Sequence, residues 1–352
     1  MISIRGREIG PHVRPYLIAE MSGNHNQSLD RALAIVDAAA DAGADAIKLQ
    51  TYTADTMTLN SRAPGFVIED QASPWAGRQL YELYAEASTP WSFHKPIMER
   101  AAQRGIHCFS TPFDETAVDF LEGLDVPAYK IASFECTDLP LLRRVAATGK
   151  PLIVSTGMAT LAEIDEAVAT ARRAGCEQIV LLKCTSTYPA SAGNTNIRTI
   201  PVMREIFGTQ VGLSDHTMGC GVAVASVALG STVIEKHFTL RRADGGVDSA
   251  FSLEPEEFSA LRAETERAWQ ALGHVRFGAT AAEAGSLQFR RSLYAVCNIR
   301  AGEPLTPANV RAIRPGYGLA PKHLDRVMGS RAAVDMAAGT PLDWPLLDLR
   351  TR

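Results

Sequence analysis

The chain has 352 residues, 46% of them hydrophobic and 21% charged, enough apolar material for a large core and a composition unlike that of disordered chains. A formal net charge of −4 argues against a general nucleic-acid binder, which needs a basic face, but leaves room for a small anion held by a few buried lysines. Six cysteines scattered without a CxxC pair read as reduced thiols rather than a disulfide framework.

In chain order, the N-terminal MISIRGREIG lacks the layout of a signal peptide. Short apolar runs then recur at 16–20 (YLIAE), 46–51 (AIKLQT), 107–111 (HCFST) and 128–133 (AYKIAS). Four more follow at 151–156 (PLIVST), 179–184 (IVLLKC), 211–216 (VGLSDH) and 231–238 (STVIEKHF). Between them lie Ala-rich helical patterns, among them 28–41, 94–104, 161–174 and 256–272. Ser28, Asp114 and Asp138 stand as N-caps, and Gly43, Gly105, Gly149, Gly175 and Gly230 as stops. The weakly polar run 219–234 parses as a small-residue helix and a strand rather than a membrane span, so a soluble, cytoplasmic protein without a membrane partner is expected. Eight apolar strands alternating with helices predict an α/β protein, a (β/α)8 TIM barrel over 1–280, with an open doubly wound sheet as the competing arrangement.

Two segments interrupt the alternation. The stretch 54–90 is too long for an ordinary connection after the second strand, and with one helix around 79–87 it is a candidate lid or specificity element. After a linker at 273–285, residues 286–352 form a separate small domain. It contains an echo, NIRAGEPLT (298–306) against DMAAGTPLD (335–343), each read as a short strand, an Ala-Gly turn and Pro-Leu.

The strand ends are unusually polar. They carry Glu20, Lys48, Gln50, Ser110, Thr111, Lys130, Ser133, Glu135, Ser155, Thr156, Lys183, Ser186, Tyr188, Ser214, His216, Glu235 and His237, at the face where barrels place their chemistry. His216 and His237 end adjacent strands and can reach one cation; without a cysteine ligand, Mn2+ or Mg2+ with bound water suits them better than structural zinc. Lys48, Lys130 and Lys183 with nearby serines suit a phosphate and a carboxylate. A Schiff-base lysine is the alternative these residues leave open. Glu20 and Glu135 are general bases or partners of the lysines. The Gly219–Gly221 pair lacks the rest of a dinucleotide fingerprint.

The segments YLIAEMSGNHNQS, AGADAIKLQTYT, FSTPF, PAYKIASFE, VSTGM, VGLSDHT and VIEKHF resemble the sialic acid synthase family, in order and over nearly the whole chain. RSLYA and IRPGYG resemble its small C-terminal antifreeze-like (SAF, β-clip) domain. The resemblance implies that His216 and His237 hold the metal and that Lys48, Lys130, Ser133, Ser155 and Ser214 bind phosphoenolpyruvate. It makes Glu135 the acid/base group, with Glu20 beside it. Gln50, Thr111, Ser186, Tyr188 and Asp248 would face an N-acetylated deoxy amino sugar. Arg314 would reach the sugar in the partner's site of a domain-swapped homodimer. QTYTADTMTL, WAGRQLYELY, TPWSFH and LKCTSTYP resemble the pseudaminic-acid branch of that family. Ser186 stands where the common sialic acid synthases usually carry Asn. Synthases of legionaminic or N-acetylneuraminic acid are the alternatives within the family, and a catalytically silent sugar-binding protein the alternative outside it.

Overall fold

The computed structural model describes residues 2–70 and 73–349, and the chain divides into two units after Gly273. The first unit opens with an antiparallel hairpin, β1 (Ile2–Ile4) and β2 (Arg7–Ile9), which the sequence reading did not anticipate. Eight strands follow: β3 (Tyr16–Glu20), β4 (Ala46–Thr51), β5 (His107–Pro112), β6 (Tyr129–Ile131), β7 (Leu152–Ser155), β8 (Ile179–Cys184), β9 (Gln210–Ser214) and β10 (Val233–His237). Each pairs in parallel with the next, and β10 closes back on β3. The open-sheet alternative is excluded by that closure.

The helices between the strands are α1 (Leu29–Asp41), α2 (Ala54–Met57), α3 (Leu80–Ala87), α4 (Trp91–Gln103), α5 (Glu115–Gly123), α6 (Leu139–Ala146), α7 (Leu161–Arg173), α8 (Thr199–Phe207), α9 (Gly221–Ala228) and α10 (Pro255–Leu272). Ser28, Asp114 and Asp138 accept first-turn N–H groups of α1, α5 and α6, as their positions predicted. α4 begins three residues earlier than predicted, after Pro90, because Pro96 is accommodated inside it. The barrel strands are buried at nearly every position, Gln50, His107, Lys183 and Gln210 being half-buried, as a sheet covered on both faces requires.

The amino-terminal end of the barrel is given over to stability. The hairpin isoleucines join the core there, and Ser3 N donates to Gln178 at 3.0 Å. Asp45 accepts from Leu17 N at 2.9 Å and pairs with Arg262 at 2.8 Å and Arg14 at 3.2 Å. The opposite end is therefore free to carry function.

The second unit has its own core, with Leu293, Ile299, Leu305, Val310, Val327 and Leu342 buried. Its strands are the antiparallel pairs β11 (Ser292–Ala295) with β12 (Val310–Ile313), and β13 (Arg331–Ala332) with β14 (Leu347–Asp348). The two echoing segments do not form strands of their own. They meet each other at the antiparallel bridge of Ile299 with Met336, with reciprocal N–H···O bonds of 2.8 Å, flanked by Ala301 N to Asp335 Oδ1 at 2.7 Å and Ala338 N to Asn298 Oδ1 at 2.9 Å.

Candidate active site

Because successive residues of a strand point to opposite faces, Glu235 and His237 turn into the barrel while Lys236 turns away. The same parity selects Glu20, Lys48, Lys130, Ser155 and Ser214 for the interior. With Gln50, Thr111, Ser133, Tyr188, His216, Glu235 and His237 they line one pocket at the carboxyl ends of the strands. Register explains the closeness: His237 lies level with Glu20, and Glu20 with Lys48.

This pocket opens into a larger cavity of about 710 Å3, which it shares through Gln50, Tyr188 and His237. Glu135, Ser186 and Asp248 line that outer chamber. Arg314 belongs to the second unit and is exposed there. Lys183 is a correction. It faces a different cleft and donates to Cys184 O at 2.6 Å and Thr185 Oγ1 at 3.4 Å. Its neighbour Cys184 takes the inward position, so the three-lysine cluster read from the strand ends is a pair.

The hub of the inner pocket is Glu235, which the sequence reading placed at a strand end without a role. Its Oε1 lies 3.5 Å from Lys130 Nζ and 3.9 Å from Lys48 Nζ, and accepts from Ser214 Oγ at 3.3 Å. Lys48 also pairs with Glu20 and donates to Thr111 Oγ1 at 3.2 Å. Burial disfavours the charge on Glu235, but the two ammonium groups outweigh it and hold the carboxylate ionised. Burial pushes Lys130 down, and Glu235 only partly offsets this. Glu20 is pushed up by burial, with Lys48 opposing. Gln50 Nε2 bridges Glu20 Oε1 at 2.9 Å and Ser22 Oγ at 3.1 Å, and Ser22 bonds Asp248.

Beside the lysines is a hydroxyl-rich turn. Gly157 N donates to Ser133 Oγ at 3.1 Å, and a Cβ at Gly157 would overlap the hydroxyls of Ser133 and Ser186. Ser155 Oγ is buried without a hydrogen-bond partner. Buried hydroxyls are costly when unpaired, so an orphan next to two ammonium groups marks a place for an anion's oxygen.

His216 and His237 lie with ring centroids 5.3 Å apart. His216 Nδ1 donates to Thr185 O at 2.9 Å, which leaves Nε2 as the nitrogen available to a cation. His237 Nδ1 is buried and unpartnered, 4.0 Å from Asp248 Oδ2. Burial first, then His216 and the lysines, hold His237 neutral. Among the described residues no three His, Cys, Asp or Glu side chains form a closed metal cage. Two imidazoles at one point, one of them with an orphaned nitrogen, fit a divalent ion that completes its shell with water or substrate oxygen.

Glu135 sits apart from these groups, lining the outer chamber with Oε2 buried and unpartnered. Burial raises its carboxyl to about 7, with Lys130 opposing and Asp138 assisting, the range useful for proton transfer.

A closed (β/α)8 barrel with a lysine and serine anion pocket, paired imidazoles and a tuned carboxyl at its carboxyl-terminal mouth defines an enzyme of small anionic substrates. The chain belongs to the NeuB family, which it matches over residues 35–277, and residues 290–348 match the SAF domain. It is 43% identical to the pseudaminic acid synthase of Campylobacter jejuni, over 93% of this chain and 95% of that protein. It is 35% identical to the N,N'-diacetyllegionaminic acid synthase of Legionella pneumophila, over 95% of each. The N-acetylneuraminic acid synthetase of Leptospira borgpetersenii, solved with citrate, superposes with a TM-score of 0.73 at 31% identity, covering 82% of this chain and 95% of that one.

Proposed function

We propose that this chain is a pseudaminic acid synthase, condensing phosphoenolpyruvate with 2,4-diacetamido-2,4,6-trideoxy-L-altropyranose and water to give pseudaminic acid and phosphate. The observation that carries the reading is one pocket holding Lys48, Lys130, Glu235, His216 and His237, in a chain 43% identical to a pseudaminic acid synthase over 93% of its length. The lower identity to the legionaminic acid synthase, 35%, favours this branch.

In this reading Lys48, Lys130, Ser133, Ser155 and Ser214 receive the phosphate and carboxylate of phosphoenolpyruvate. The arriving anion shares the two ammonium groups with Glu235. Ser186, Thr111, Gln50, Tyr188 and Asp248 orient the open-chain sugar, and Glu20 accepts from one of its hydroxyls. A divalent ion on His216 and His237, Mn2+ or Mg2+, would supply Lewis-acid polarisation of the sugar aldehyde. C3 of the enol ester bonds to the aldehyde carbon, whose oxygen gains a proton, and cationic character develops at C2. Glu135 takes a proton from the water that adds at C2. Phosphate then leaves with its bridging oxygen by C–O cleavage as the C2 hydroxyl gives up its proton and becomes the ketone, so that the two protons of the water end on the new alcohol and on phosphate, and no phosphate-cradling loop is required. Arg314 would enter a neighbouring site from the second unit of a domain-swapped homodimer. The six unpaired cysteines and the absence, among the described residues, of a helix long and apolar enough to cross a membrane are consistent with a cytoplasmic enzyme.

A sugar panel tests this. Purified enzyme with Mn2+ should release phosphate from phosphoenolpyruvate with the altrose sugar and not with N-acetylmannosamine. The reverse preference would assign it to another branch.

A further inference from the structure

The excursion after β4 is a built structure rather than a slack loop. Gln79, 5% exposed, donates to Asn60 Oδ1 at 3.0 Å and Ser61 O at 2.9 Å. Val67 bridges Gln79, and Ile68 N donates to Arg78 O at 3.0 Å. One side chain fastens this structure to the connection two strands round the mouth. Trp75 Nε1 donates to Val247 O at 2.9 Å, across 172 residues of sequence, joining the connection after β4 to the one after β10. Its ring lies 5.8 Å from Tyr188 and 6.4 Å from Phe251, and Tyr188 in turn lies 4.4 Å from His216.

The lining of the chamber combines polar groups, among them Ser22, Gln50, Asp70, Ser73, Glu135 and Asp248, with an apolar wall of Met57, Ile68, Trp75, Leu80 and Leu83. An apolar wall rewards a methyl group and penalises a hydroxyl that must shed water without gaining a partner. A sugar with acetamido methyls and a methyl at carbon six matches that wall, whereas a 6-hydroxylated sugar does not.

Resting on the reaction proposed above, we infer that Trp75 is the specificity-determining residue of this chain. Its latch to Val247 holds the apolar wall over the sugar and selects 6-deoxy over 6-hydroxy substrates. A pocket of this kind discriminates a hydroxyl from a methyl by about 100-fold.

The test measures kcat/KM with phosphoenolpyruvate and matched sugar pairs, each stereoisomer presented in 6-deoxy and 6-hydroxy form. Wild type, Trp75→Phe and Trp75→Ala are compared, with thermal melting as a check on folding. The expected result is a 6-deoxy preference that falls at least about tenfold in Trp75→Ala, through the sugar's KM, while the KM for phosphoenolpyruvate stays within about twofold. Trp75→Phe, which keeps a ring but loses the N–H, should fall in between. An unchanged ratio in a folded Trp75→Ala variant overturns the inference even if the wild type makes pseudaminic acid. So does a drop in both sugars alike accompanied by a risen KM for phosphoenolpyruvate. Failure of the wild type to turn over any sugar overturns the proposed reaction instead, and this inference with it.

Discussion

His216 and His237 reach the same point from consecutive strand ends, their ring centroids 5.3 Å apart, one nitrogen tied to the Thr185 carbonyl and another left without a partner. Two imidazoles packed this closely in a buried site gain little from each other. In the proposed function a shared cation would account for both. Replacing either histidine with alanine should weaken Mn2+ binding, followed by its paramagnetic resonance signal, by at least about 10-fold. Tight binding retained by both variants would place the ion elsewhere.

Of the two lysines in the pocket, Lys130 is the one whose charge is less supported: burial lowers its pKa and Glu235 at 3.5 Å is its main counterweight. Lys130→Met should raise the KM for phosphoenolpyruvate by about 100-fold, the loss of one charge-assisted contact in a dry site, with a smaller change in the KM of the sugar. If the sugar's KM rises and that of phosphoenolpyruvate does not, the anion pocket has been assigned to the wrong residues. Borohydride should trap no adduct on Lys130, since the proposed chemistry forms no imine.

The carboxyl of Glu135, raised to about 7 by burial, fixes two pH dependences with one group. As the base for water addition it must be ionised, so kcat should climb as pH rises through about 7, and Glu135→Gln should abolish that limb. Stability runs the other way. A carboxyl whose folded pKa exceeds its unfolded value destabilises the fold once the unfolded chain ionises. The loss therefore grows from about pH 4.5 to about 7 and reaches at most about 3 kcal/mol. Glu135→Gln should be more stable than wild type at pH 8 and lose that advantage near pH 4. Urea titrations at both values check the sign, and an equal difference at both would refute it.

Lys236 holds the loop that carries His216. It is 1% exposed and donates to Asp215 Oδ2 at 2.9 Å, Thr217 O at 2.6 Å and Gly219 O at 2.8 Å. Lys236→Met leaves the Asp215 charge buried with only Thr217 as donor and should cost about 3–5 kcal/mol by denaturant unfolding. Adding Asp215→Asn should recover part of that loss. No recovery would mean that the carbonyl contacts, rather than the ion pair, carry the effect.

These residues also mark what a sequence can disclose. The barrel was legible because parallel strands covered on both sides are continuous apolar runs, and YLIAE or IVLLK can be little else between two helices. The inward set was legible from the same property inverted: Lys48, Lys130, His216 and His237 are polar residues at the ends of otherwise apolar strands. Parity within a strand was the harder part. Lys183 and Cys184 are adjacent, and only the fold settles that the thiol faces inward and the lysine outward. Glu235 was legible as a strand-end residue, and its i, i+2 relation to His237 is the signal that would have assigned it an inward role. The bond from Trp75 to Val247 had no local signal, since it joins segments that only closure of the barrel brings together. The hairpin β1–β2 escaped because three-residue strands leave too short a pattern to read.

The pairing of imidazoles beside the anion pocket is tested most directly by anomalous diffraction from crystals grown with Mn2+ and phosphoenolpyruvate. We expect one strong peak within about 2–2.5 Å of a ring nitrogen of both His216 and His237, with phosphoenolpyruvate density reaching Lys48 and Lys130. A catalytically active crystal whose only manganese peak lies away from both rings would contradict the account.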